Sequence, residues 1–173
     1  MLVLVTGGSG SGKSEFAEDY CMQTAKGEMI YLATMKNDGP ESEQRIRKHR
    51  ANRAGKGFVT QERSTHPERI SCKKGDLVLL ECLSNLVAGT MFEDWKQPLD
   101  VQTTVSRLTY ELDALFEMCE DVVIVTNQVF SDGIVYDQMT HNYMEALARI
   151  NAYAARCADE VYEVVYGIPV RLS

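Results

Sequence analysis

The first fourteen residues, MLVLVTGGSGSGKS, constrain this chain more than any other stretch. Leu2 to Val5 is an apolar, partly β-branched run suited to a buried strand, and it breaks into a glycine-rich loop with Gly7, Gly12, Lys13 and Ser14 in the spacing G-x-x-x-x-G-K-S. A helical pattern follows from Glu15 to Ala25. Strand, glycine loop and helix in that order form a phosphate-binding loop: glycines let backbone N–H groups turn inward around an oxyanion, and the helix adds the positive end of its dipole. Lys13 supplies a charge to the β- and γ-phosphates, and the Ser14 hydroxyl a ligand for magnesium.

The spacing of apolar residues predicts the remaining elements. Phe16, Ala17, Tyr20, Cys21 and Thr24 form the inward stripe of the first helix, with Glu15, Glu18 and Asp19 around it. Met29 to Thr34 reads as a second buried strand, parallel to and beside the first. Thr65 to Cys72 reads as a short helix, with His66 as a surface or capping residue. Asp76 to Glu81 is the strongest strand pattern, and Glu81 ends it where such proteins present an acidic residue to magnesium. Helices are expected over Leu83–Phe92, Asp100–Cys119 and Met139–Ala158, and a strand over Val122–Thr126. Between them Trp95 is a pocket cover, a subunit contact or a core anchor, and Ser131 to Tyr136 is a loop able to close over substrate. Val161 to Leu172 reads as a hairpin with Val164, Val165 and Val170 on its core side. The expected fold is α/β: a single-domain P-loop NTPase-like fold over residues 1–173, its mostly parallel sheet flanked by helices with a C-terminal antiparallel edge.

One stretch does not fit a core. Glu41 to Asn52 has helix-forming residues but Ile46 is its only large apolar one, while Arg45, His49 and Arg53 fall on one face at i, i+4 and i+8. A solvated charged helix explains such a run; a nucleotide already bound elsewhere in the chain offers phosphates for its arginines to meet. A formal net charge of -7 argues against broad nucleic-acid binding and favours a small soluble ligand. No apolar run reaches the roughly 18 residues of a membrane span, and no secretory signal precedes the loop. The five scattered cysteines read as reduced, mostly buried thiols of a cytoplasmic protein.

The chain resembles the bifunctional adenosylcobinamide kinase / adenosylcobinamide-phosphate guanylyltransferases of cobalamin biosynthesis. The likeness runs through Thr6-Gly7-Gly8, Ser11 to Ser14, Tyr31 to Thr34, Arg45-Ile46-x-x-His49-x-x-x-Arg53, Glu62, Leu80-Glu81-Cys82, Val125-Thr126-Asn127, Gly133-Ile134-Val135 and Ala158 to Val161. It implies catalysis by Lys13 and by His49, which becomes guanylylated. It implies nucleotide binding by Gly7, Gly8, Ser9, Gly10, Ser11, Gly12, Lys13, Ser14, Ala33, Thr34, Met35, Arg50, Ala51, Asn52, Arg53, Glu62 and Glu81. Ser14 and Glu81 would hold Mg2+, GTP would be the guanylyl donor and either ATP or GTP the phosphoryl donor, the acceptor would be a corrinoid, and the assembly a homo-oligomer, a trimer in the family. The chemistry suits the residues: a neutral imidazole attacks an α-phosphorus, and neighbouring arginines disfavour its protonated form.

Two departures stand out. Ala54 follows Arg53 where the family has proline, and the next aromatic, Phe58, comes one place late. Gln128 stands where the family carries glutamate, removing a carboxylate that would activate the corrinoid hydroxyl. Two alternatives follow: a guanylyltransferase with weak kinase activity, and a non-catalytic nucleotide-binding regulator. Retention of His49 speaks against the latter, because binding alone needs no nucleophile.

Overall fold

β1 (Leu2–Thr6) carries apolar residues on both sides, and the fold uses both: Leu2 and Leu4 enter one core and Val3 and Val5 the other. A strand covered on two faces belongs to the middle of a parallel sheet. The computed structural model describes residues 1–37, 39–128 and 136–173, and only the backbone of 41, 45, 48–50, 52 and 53. Around β1 it assembles α1 (Lys13–Thr24), β2 (Met29–Ala33), α2 (Pro40–Arg53), β3 (Phe58–Glu62), β4 (Leu77–Leu80), α3 (Leu83–Met91), α4 (Val101–Met118), β5 (Asp121–Val125), α5 (Gln138–Cys157), β6 (Glu160–Val165) and β7 (Ile168–Arg171). The seven strands lie in the order β3-β2-β4-β5-β1-β6-β7, all parallel except β7, which pairs antiparallel with β6.

β1 and β2 are parallel but not neighbours, contrary to expectation: β5 and β4 separate them. The 12 residues of α1, about 18 Å long, return the chain to the opposite edge of the sheet, and the helix packs over β4 and β5 as well as β6 and β1. The chain moves outward from β1 to β2 and again to β3, and α1 covers one face of the sheet. α3, α4 and α5 cover the opposite face, where Leu83, Leu86, Leu108, Leu112, Leu115, Leu147 and Ile150 form the larger core. Asp100 and Asp137 start α4 and α5 by accepting bonds from the Thr103 and Thr140 amides at 2.8 and 2.7 Å. Asp159, just before β6, brackets Leu2: its amide donates to the Leu2 carbonyl at 2.8 Å and its carboxylate accepts from the Leu2 amide at 2.7 Å.

Several expectations are corrected. Thr65 to Cys72 holds only one 3-10 turn, Pro67–Arg69. β3 has no counterpart in the sequence reading, because its FVTQE lies at the sheet edge and shows neither a continuous apolar run nor clean alternation. In the terminal hairpin Val164 alone is buried; Val165 and Val170 are exposed, since nothing among the described residues covers the outer strand. Trp95 is 70% exposed against Phe92 and anchors no core. Of the cysteines, Cys21 and Cys119 are buried, Cys72 and Cys82 half-buried and Cys157 exposed, all free. Burial pushes the Cys21 thiol up to about 12. The loop expected over Ser131 to Tyr136, and the matched Gly133-Ile134-Val135, lie outside the described residues except for Tyr136. Among the described residues no helix is long and apolar enough to cross a membrane.

Candidate active site

Parallel strands place their C-terminal ends along one edge, and the loop after β1, Ala33 to Met35, Glu62 and Glu81 stand at that edge because they end or follow β1, β2, β3 and β4. The loop after β1 is shaped by close backbone approaches. At Gly7 (φ 154°) a Cβ would stand 2.6 Å from both Ser11 Oγ and the Val164 carbonyl. At Gly12 (φ 91°) it would meet Gly167 Cα at 3.2 Å, and the Gly167 amide donates to the Ser11 carbonyl at 2.8 Å. The β6–β7 turn therefore braces the loop from outside. Lys13 is 9% exposed and its ammonium donates to the Gly8 carbonyl at 2.9 Å, folding back over the loop. Burial lowers its pKa below the ordinary lysine range, with Cys82 opposing.

A cavity of about 530 Å³ opens at this loop, lined by Gly10, Ser11, Gly12, Lys13, Ser14, Glu15, Glu18 and Lys56. Its volume suits a nucleotide. The Ser14 hydroxyl and the Glu15 carboxylate are hard oxygen donors of the kind magnesium takes, so this lining fits the ion that the motif implies, while the Glu18 carboxylate is engaged by Lys56. Glu81 does not line the cavity; it follows β4, with its amide donating to the Leu32 carbonyl at 3.1 Å.

A second cavity, about 310 Å³, lies between α2 and the ends of β2 and β3 and brings Met35 and Glu62 together with Glu43, Ile46 and Arg47. Ala33 faces Glu62 in the β2–β3 ladder, and Thr34 is buried with its hydroxyl donating to the Cys82 carbonyl at 2.8 Å. Ala51 is exposed on α2. Arg45, His49, Arg50, Asn52 and Arg53 stand on the same helix, their side chains outside the described residues.

The sequence reading missed four arrangements. Lys56 pairs with Glu18 inside the first cavity, although Glu18 was expected on the outer side of α1. Asn127 Nδ2 donates to Ser84 Oγ at 3.0 Å, and Gln128 Nε2 to Glu163 Oε1 at 3.1 Å, so a carboxylate stands beside the residue that lacks one. His66 stands at the N-cap position of the 3-10 turn, as expected, but it is half-buried and its side chain makes no capping bond. Its Nδ1 lies 3.0 Å from Glu111 Oε1 and 3.3 Å from Glu68 Oε1, while its Nε2 lies 2.9 Å from an Arg107 nitrogen. Arginine can only donate, so Nε2 accepts and the proton sits on Nδ1 toward the carboxylates. That tautomer makes the cluster a polar strut between the 3-10 turn and α4. No local signal relates Lys56 to Glu18, or His66 to Glu111, because each pair is joined by folding alone.

Comparison with known proteins bears on the fold and the family. Likeness to a solved ATPase from the type III secretion system of pathogenic bacteria, at TM-score 0.54 and 14% identity over 98% of this chain and 56% of the other, concerns the fold alone. Two curated relatives, each a bifunctional adenosylcobalamin biosynthesis protein CobU, are 29% identical over 188 residues (Escherichia coli strain K12) and 29% over 184 residues (Salmonella typhimurium strain LT2). Both alignments cover 100% of this chain and of the relative. The sequence profile described as cobinamide kinase / cobinamide phosphate guanyltransferase matches residues 3–172, and the chain belongs to that family.

Proposed function

We propose that residues 1–173 act as one catalytic domain that phosphorylates adenosylcobinamide and then guanylylates the product. In the first step the aminopropanol hydroxyl oxygen attacks the γ-phosphorus of ATP or GTP; the nucleoside diphosphate leaves and the hydroxyl proton passes to a base. In the second, a neutral His49 nitrogen attacks the α-phosphorus of GTP, a P–N bond forms and pyrophosphate departs. A phosphate oxygen of adenosylcobinamide phosphate then attacks the same phosphorus, the P–N bond breaks, and adenosyl-GDP-cobinamide is released with His49 restored. The observation that supports it is that a chain matching the family from residue 3 to 172 carries both a glycine-shaped phosphate loop and a helix with His49 among arginines. Lys13 and the loop amides hold the phosphates. Magnesium, carried by Ser14 and Glu81, would neutralise charge on the transferred groups. Arg50 and Arg53 with Asn52, and Ala33, Thr34, Met35, Ala51 and Glu62, form the rest of the nucleotide site. The setting is cytoplasmic and the assembly a homo-oligomer, expected as a trimer, acting on a corrinoid and not on nucleic acid.

Incubation with α-labelled GTP and magnesium tests this. Label is expected on the protein through an acid-labile, base-stable bond, and His49→Ala should abolish it while GTP still binds. Label persisting in that variant moves the nucleophile to another residue, with Lys48 next in line.

A narrower reading, guanylyl transfer with weak kinase activity, rests on Gln128 in place of glutamate. The Glu163 carboxylate, 3.1 Å from its amide, supports retention of the kinase step. If a base is missing, Gln128→Glu raises kinase turnover by roughly 10²–10⁴-fold and leaves guanylylation unchanged. If Glu163 already serves, the substitution sets two carboxylates side by side and brings no gain.

A further inference from the structure

We propose that Lys56 and Glu18 form a latch that holds the C-terminal end of α2 against α1, making Lys56 a positioning residue for guanylyl transfer. Its catalytic consequence rests on His49 being the nucleophile; the latch itself does not.

α2 needs such a device. A helix is ordinarily fixed by burying an apolar stripe, and α2 has none: Ile46 is its only large apolar residue and is half-buried. None of the principal helix–sheet or helix–helix packings among the described residues includes it. Burial therefore leaves its orientation to its flanks.

The C-terminal flank is built to reach α1. Gly55 and Gly57, at φ 88° and 80°, bracket Lys56 and adopt a conformation that other residues rarely take, so the chain turns on both sides of this one side chain. The Lys56 ammonium stands 2.5 Å from Glu18 Oε2 in the cavity that also contains Ser14. The Glu18 side chain is only 10% exposed, so its charge is poorly hydrated and depends on this partner. The hydrogen bond to Glu18 is the first cause raising the Lys56 pKa, which keeps the ammonium charged. His49 lies seven positions before Lys56, so a shift of the latch is passed to it through about one turn of helix. A displacement of about 1 Å at a reacting group is enough to cost around 10²-fold in rate.

The test compares wild type, Lys56→Ala, Lys56→Arg, Glu18→Gln and the double variant Lys56→Ala/Glu18→Gln. Single-turnover labelling by α-labelled GTP is measured at saturating nucleotide, with GTP affinity measured separately. Lys56→Ala and Glu18→Gln should each slow labelling by about 10–100-fold while GTP affinity stays within about threefold. Lys56→Arg should retain most of the rate. The double variant removes the orphaned carboxylate and should remain as slow as Lys56→Ala, because a broken latch cannot be broken twice. Hydrogen exchange gives a readout free of catalysis: amides of residues 45–53 should exchange faster in Lys56→Ala, with α4 unchanged. Wild-type labelling and exchange in Lys56→Ala overturn the latch, and so does full recovery in the double variant. Loss of GTP affinity by tenfold or more in Lys56→Ala, with Glu18→Gln harmless, makes Lys56 a phosphate ligand instead. Absence of label on wild-type His49 defeats the guanylylation reading, and the exchange result then still decides the latch.

Discussion

The phosphate loop sits between a strand that is apolar on both faces and a hairpin turn whose Gly167 amide bonds Ser11, while α2 offers its surroundings one large apolar side chain and a row of charges. The loop is positioned by close approach: a Cβ at Gly7 would collide with the Val164 carbonyl, and one at Gly12 would press on the Gly167 backbone at a φ that favours glycine. Among the described residues α2 lacks such steric confinement, and the ion pair beyond its C-terminal end is the tether proposed for it. The difference matches two tasks. A cradle for phosphate gains most from preorganised donors, whereas a helix that delivers a nucleophile must present it to a nucleotide already bound. Substitutions should therefore act on catalysis and stability together near the loop, and separately along α2.

Lys13→Ala should produce the largest loss, about 10²–10³-fold in both kinase and guanylyl-transfer rates, because one loop orients the γ-phosphate for one reaction and the leaving pyrophosphate for the other. Unchanged turnover in both assays would sink the shared-site reading. In the larger core, Leu112→Ala should cost about 2–5 kcal/mol in urea unfolding, since Leu112 is fully buried and its deletion leaves a cavity. Gly12→Ala comes next. A methyl 3.2 Å from Gly167 Cα at φ 91° forces the loop or the hairpin turn to move, and nucleotide affinity should fall about tenfold or more by calorimetry.

A pH titration of nucleotide binding sharpens the same contrast. Burial lowers the Lys13 pKa in the free protein, so the ammonium is lost on the alkaline side earlier than an exposed lysine would lose it. Bound phosphate stabilises the charged form, so affinity should hold below the free-state pKa and fall up to about tenfold per pH unit above it. Lys13→Arg should flatten that alkaline limb even if it binds less well, because guanidinium stays charged. Ile46→Ala is expected to have the smallest effect, under about 1 kcal/mol on unfolding, because half-burial on a charged helix gives the side chain little core to lose. A cost equal to that of Leu112→Ala would show that α2 is held by packing and would weaken the latch.

How far the sequence could be read depended on whether a signal was local. β1, β4 and β5 are continuous apolar runs and were legible because strands covered on both faces tolerate little else. β3 was not, because an edge strand with Thr60 and Glu62 exposed needs no apolar pattern. Glu18 looked like an outward acid of an amphipathic helix, since helical periodicity carries no information about a lysine 38 positions later that will meet it. His66 was invisible as a cluster member for the same reason: Arg107 and Glu111 reach it from α4.

The sequence by itself determined the loop, the α/β alternation and the identity of the groups able to do chemistry, because strand propensity, glycine's access to positive φ and side-chain pKa are properties of short stretches. Only the tertiary structure decided which strands lie side by side, that α1 carries the chain past β5 and β4 to β2, and that a hairpin from the C-terminal end braces the P-loop at Gly7 and Gly12. It also decided that Lys56 comes to rest on Glu18. Those outcomes depend on which apolar faces can be buried together and which charges are then left without water, and both are settled only when the whole chain has closed around its two cores.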